Sequence, residues 1–146
     1  MEWAALIAWV LTAGGGFVML AIWFARGGMR QRESGRIRPP LILAHFALAA
    51  TGLVLWIVYV ATDTQALAWI SVVLLLVVAA LGFTMFAIWQ RQRQARATVA
   101  QAATATSGPA QPAEQRFPVA IVALHGLAAV TTLVLVLLAA LEVGTS

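Results

Sequence analysis

The chain has 146 residues, of which 62% are hydrophobic and only 10% charged. A soluble domain of ordinary composition carries about 25% charged residues, so this chain cannot cover a water-facing surface. It contains no cysteine, which excludes disulfides, iron–sulfur clusters, thiolate metal sites and cysteine catalysis.

Four apolar runs cover about 3–25, 41–61, 66–89 and 118–141, and none has Lys, Arg or Asp in its interior. Each is close to the ~20 residues that span a hydrocarbon core at ~1.5 Å per residue. The expected fold is therefore all-α: one membrane domain, residues 1–146, folded as a four-helix up-and-down bundle. The first run starts Met1-Glu2-Trp3. It lacks a positive leader and is too long for a signal peptide, so it reads as a span.

Between the first and second runs, residues 26–40 hold Arg26, Arg30, Arg32, Arg36 and Arg38 and end in Pro39-Pro40. That composition predicts a loop closing at the start of the second span. Thr62-Asp63-Thr64-Gln65 predicts a tight turn, which makes the second and third spans antiparallel neighbours. The stretch 94–116, rich in Ala, Gln and Thr with Pro109 and Pro112, reads as a flexible cytoplasmic linker; its Gln-Arg-Ala part is also able to extend the third helix.

All nine positive charges are arginines, and all fall in the segments after the first and third spans. With Glu33 and Glu114 that side sums to +7, and Glu2, Asp63 and Glu142 give the other side −3. Positive charge stays in the cytoplasm during insertion, so both termini are expected outside, on the periplasmic side of a bacterial inner membrane. Arginine without lysine points to a GC-rich bacterial genome. The net +4 is accounted for by anionic inner-leaflet lipid, without nucleic acid. Trp23 and Trp89 at the basic side, and Trp3, Tyr59 and Trp69 at the other, are expected as interfacial belts.

The two halves resemble each other. Gly16–Trp23 and Gly82–Trp89 share six of eight residues at an offset of 66. His45, Ala49, Thr51, Leu53, Val54 and Leu55 correspond to His125, Ala129, Thr131, Leu133, Val134 and Leu135 at an offset of 80. A repeat of this kind predicts two parallel helix pairs about a pseudo-twofold axis along the membrane normal.

His45 and His125 are the residues of chemical interest. Each lies roughly 7–10 Å inside the basic side at the helical rise, and an ionisable group at that depth is a functional candidate. Spans two and four are diagonal in an up–down bundle, with axes ~14 Å apart when neighbours pack at ~10 Å. An imidazole and a metal bond of ~2 Å reach roughly 6–7 Å from each Cα, so both residues can ligate one metal on the axis. Two nitrogens alone make a poor zinc site, whereas a haem needs only two because its porphyrin supplies four. Ala49 and Gly52, and Gly126 and Ala129, are small residues expected to leave room for a flat macrocycle or for close helix packing. Arg38 and Arg116 stand at the nearest surface and suit carboxylates, in addition to their role as topology signals. Gly14-Gly15-Gly16 is a further point of close approach or helix loosening.

Taken together, the four spans with His45 and His125 resemble the small four-helix membrane b-type cytochromes, including the bacterial cytochrome b561 type and the membrane anchors of oxidoreductases. That family type carries more histidines and two haems; two histidines support one. The resemblance implies one haem b on His45 and His125, electron transfer with the quinone pool and other membrane subunits as partners. Two other readings stand beside it: a structural subunit anchoring a larger respiratory or photosynthetic complex, and a proton relay or transporter. No phosphate loop, nucleophile triad, paired carboxylates or HExxH motif is present, so nothing supports self-contained hydrolysis or group transfer.

Overall fold

A computed structural model describes residues 1–30, 37–102 and 113–141, with only the backbone of 99–102. Its elements are α1 (Glu2–Ala25), α2 (Pro39–Thr62), α3 (Gln65–Ala102), a short 3-10 turn (Ala113–Arg116) and α4 (Val119–Ala140). All four α-helices are long and apolar enough to cross a membrane, and the chain is an integral membrane protein with an all-α four-helix bundle.

Local chemistry sets the helix ends. Pro39 and Pro40 occupy the first positions of α2, where a missing N–H costs no helical hydrogen bond. At the other end of α2, Asp63 takes the left-handed conformation (φ 53°) and its N–H donates to the Tyr59 carbonyl at 2.8 Å. That residue makes the expected tight turn into α3.

The third helix is much longer than a span. Its 38 residues extend roughly 57 Å at ~1.5 Å per residue, against a hydrocarbon core of ~30 Å. Residues 94–102 of the expected linker are thus helical. Ala113–Arg116 is a folded turn with Ala113, Glu114 and Gln115 buried. Residues 103–112 lie outside the described part of the chain.

Each helix packs mainly on one neighbour: α1 on α4 and α2 on α3, with thinner α1–α2 and α3–α4 seams. Among the described residues the backbones of α2 and α4 do not approach each other, so they are diagonal as the sequence predicts. The expected repeat recurs in burial. Ala5, Trp9 and Trp23 are buried in α1, and so are Ser71, Leu75 and Trp89 at offset 66 in α3. Gly52, Trp56 and Tyr59 are buried in α2, and so are Thr132, Val136 and Ala139 at offset 80 in α4. The repeats are interlocked, because each helix makes its larger contact with the other half.

The aromatic belts hold in part. Trp3 and Trp69 are exposed, as lipid-facing rings should be, but Trp23, Tyr59 and Trp89 are buried. Tyr59 and Trp56 belong to the core at the end opposite the arginines. At the arginine-rich end, Trp89 donates its indole N–H to the Glu114 carbonyl at 3.1 Å, and Gln115 donates to Gln92 at 2.6 Å. The 3-10 turn is thereby pinned against α1 and α3 as a cap on the bundle.

Candidate functional site: the histidine layer

Burial divides the bundle into two zones. Away from the arginines, Trp9, Trp56, Tyr59, Val72, Leu75 and Val136 form a continuous core. Toward the arginines, no residue is buried at 10–22 of α1, 39–51 of α2, 79–88 of α3 or 119–131 of α4. The zone is roughly 15–20 Å tall at the helical rise, and Trp23 and Trp89 close its far end. His45 and His125 lie in it, both half-buried.

The two histidines occupy equivalent places. His45 of α2 sets Nδ1 3.0 Å from the Val78 carbonyl of α3, and His125 of α4 sets Nδ1 3.0 Å from the Thr12 carbonyl of α1. Val78 and Thr12 are themselves equivalent at the offset of 66. A carbonyl oxygen only accepts, so Nδ1 carries the hydrogen in both rings. Nε2 is then the nitrogen with the lone pair, and it has no hydrogen-bond partner among the described residues.

The rings face each other across the bundle with centroids 6.4 Å apart and planes at 62°. An imidazole bound through Nε2 at ~2 Å holds its ring centre roughly 3 Å from the metal, so two rings on opposite sides of one ion stand roughly 6–6.5 Å apart. The observed separation falls in that range. Anchoring Nδ1–H on a backbone carbonyl is also how metal-ligating histidines are ordinarily held. No group of three or more His, Cys, Asp or Glu comes together among the described residues. The histidine pair by itself therefore offers two protein ligands and no more.

The other expected site residues separate. Ala49 and Ala129, one turn beyond the histidines, are half-buried. Gly52 is buried, but its space is filled by Trp9: a β-carbon there would stand 3.0 Å from Trp9 Cζ2. Its small size serves the core rather than the histidine layer. Gly126 is exposed with nothing within 4 Å of a β-carbon, because one residue past His125 is ~100° around the helix. Arg38, at the N-terminus of α2, and Arg116, at the end of the 3-10 turn, are both exposed. The sequence expectation of close approach at Gly14-Gly15-Gly16 holds for two of the three, but it did not connect them with an imidazole, and it left Gly82 out of the site. Gly15 and Gly16 lie against His125, and Gly82 lies against His45. The repeated Gly-Phe-x-Met motif was the available signal for Gly16 and Gly82.

Comparison with known protein families, characterised proteins and solved structures finds no match to this chain.

Proposed function

We propose that this protein is a single-haem membrane cytochrome b, in which His45 and His125 would hold the haem iron, that carries electrons between the quinone pool and a partner oxidoreductase. The observation that carries the reading is the opposed imidazole pair, each Nδ1 held 3.0 Å from a helix carbonyl and the ring centres 6.4 Å apart. The zone without buried side chains around the pair supports it. The haem supplies a one-electron iron couple. The chain's own contribution is to fix the two imidazoles on helix carbonyls and to close the zone with Trp23, Trp89 and the buried turn. Arg38 and Arg116 are the exposed cations nearest in sequence to the two spans and suit the propionates.

We further propose a bacterial inner membrane with the arginine-rich end in the cytoplasm and both termini in the periplasm, following the positive-inside rule. The histidines then lie in the cytoplasmic half, which favours a redox partner on that side.

Purified protein from haem-replete cells is expected to show a Soret band and a reduced α-band. His45→Ala and His125→Ala each remove six-coordinate haem. Absence of a Soret band under full haem supply, or an unchanged spectrum in both variants, refutes the assignment.

A second reading, an anchor subunit of a larger complex, is favoured by the extension of α3 thirteen residues past Trp89 with Arg91 and Arg93 exposed. It predicts a colourless chain that co-purifies with a large assembly.

A further inference from the structure

Two glycines stand where each imidazole meets the opposite helix. A β-carbon at residue 16 would lie 3.2 Å from Cε1 and 3.7 Å from Nδ1 of His125, and a β-carbon at residue 82 would lie 3.2 Å and 3.7 Å from the same atoms of His45. Identical distances recur although the flanking residues differ: Gly15 and Thr12 on one side, Leu81 and Val78 on the other.

Helix geometry explains why the position matters. Thr12 and Gly16, like Val78 and Gly82, are four residues apart, so the carbonyl of the first faces the N–H of the second within the helix. A carbonyl has a second lone pair, and a histidine from another helix can use it only where the surface is open. Side chains on a helix lean toward its N-terminus, so a side chain at 16 or 82 leans over the carbonyl at 12 or 78. Glycine leaves that approach open. Gly14 offers a contrast on the same helix, since a β-carbon there would meet nothing within 4 Å.

We infer that Gly16 and Gly82 are positioning residues for the two histidines, each opening a helix carbonyl so that an imidazole Nδ1–H can dock and leave Nε2 free to bind a metal. Its meaning for haem rests on the cytochrome reading, but the docking is a property of the chain alone. Hydrogen bonding of Nδ1–H makes the imidazole a stronger donor to a metal and fixes its tautomer. Simple close packing of helices through small residues predicts an effect on stability but none on where the imidazole protons lie.

The two histidines make the test direct. In haem-free full-length protein in nanodiscs, imidazole nitrogen NMR should show two rings protonated at Nδ1 and bare at Nε2. Gly82→Ala should cost His45 that signature and leave His125 unchanged, Gly16→Ala should do the converse, and Gly14→Ala should change neither. In haem-loaded protein the same two variants should raise the midpoint potential, because a weaker donor stabilises the ferric iron less. The inference is overturned if the wild-type rings are protonated at Nε2, a result that needs no variant to fold, or if both rings keep Nδ1–H in both alanine variants. A protein that binds no haem yet shows both Nδ1–H rings refutes the cytochrome reading and leaves the positioning role intact. A cytochrome whose glycine variants keep both signatures does the opposite.

Discussion

Gly52→Ala isolates the packing of the buried half. The added β-carbon would stand 3.0 Å from Cζ2 and 3.1 Å from Cη2 of Trp9, and 3.7 Å from Leu74 Cβ. Carbon atoms prefer roughly 3.5–4.0 Å, so the indole must retreat by about half an ångström. It has little room: Trp9 is 2% exposed and rests on Trp56, whose ring lies 6.3 Å away and whose N–H donates to the Glu2 carbonyl at 3.3 Å. Overpacking of this kind costs about 1–3 kcal/mol. The same change returns up to about 1 kcal/mol of helix propensity, so the measured net loss should be about 0–2 kcal/mol. Gly14→Ala gains the same propensity without a clash, and the difference between the two variants should recover the full ~1–3 kcal/mol. Reversible unfolding in mixed micelles, followed by far-ultraviolet circular dichroism, measures it. Trp9→Phe removes the clashing edge and should make Gly52→Ala nearly neutral in the double variant. Equal stability of Gly52→Ala and Gly14→Ala would refute the reasoning, as would a double variant with no coupling.

Two further predictions concern the α1–α4 seam and the topology. Thr12 and Thr132 hydroxyls lie 2.9 Å apart across that seam, and a Thr→Val double-mutant cycle in the same assay should give a coupling of about 0.6 kcal/mol, the usual value for side-chain hydrogen bonds between membrane helices; zero coupling removes the bond. The chain has no native cysteine, so single Thr64→Cys and Thr98→Cys variants, both at exposed positions, report orientation. An impermeant thiol reagent applied to intact cells should label the first and not the second, and the reverse result inverts the proposed topology.

Much of the architecture was legible because it depends on the solvent. Four uninterrupted apolar runs admit few folds in lipid, and Pro39-Pro40 and Asp63 carry their conformational meaning in the residue itself. The repeat was legible as two offsets, 66 and 80, and the pairing of His45 with His125 followed from it. What escaped the sequence depends on partners without a side-chain signature. Thr12 and Val78 accept through backbone oxygens, so nothing in their identity marks them, and the purpose of Gly16 and Gly82 is visible only once the imidazoles are placed. Gly52 and Gly126 look equally suited to a cofactor, yet one is filled by a tryptophan from another helix and the other turns outward. The turn at Ala113–Arg116 has the composition of a linker, and its burial depends on contacts with Trp89 and Gln92 that no local pattern announces. Trp23 and Trp89 were placed at the arginine-rich end, but both are buried there, Trp89 against that turn and Trp23 beside Gly28.

The way the repeat is broken sets the histidine layer apart more sharply than the repeat itself. In the buried half, Trp9, Trp56 and Tyr59 correspond to Leu75, Val136 and Ala139, all buried. Three aromatic rings on one side of the axis face small aliphatic side chains on the other. A hydrophobic core tolerates this, because it requires the total volume to be filled and is indifferent to which side supplies it. In the histidine layer the main contacts are kept, imidazole for imidazole, Gly16 for Gly82, and carbonyl for carbonyl at the same 3.0 Å, although Leu81 stands where Gly15 does. Packing alone gives no reason to hold one layer symmetric while the next drifts. A ligand on the axis that binds one nitrogen from each half does give such a reason, since a shift of either ring lengthens one bond at the expense of the other. Relaxing the symmetry of this layer, with Gly16→Ala alone or Gly82→Ala alone, should therefore affect ligand binding far more than equally large changes around Trp9 and Leu75.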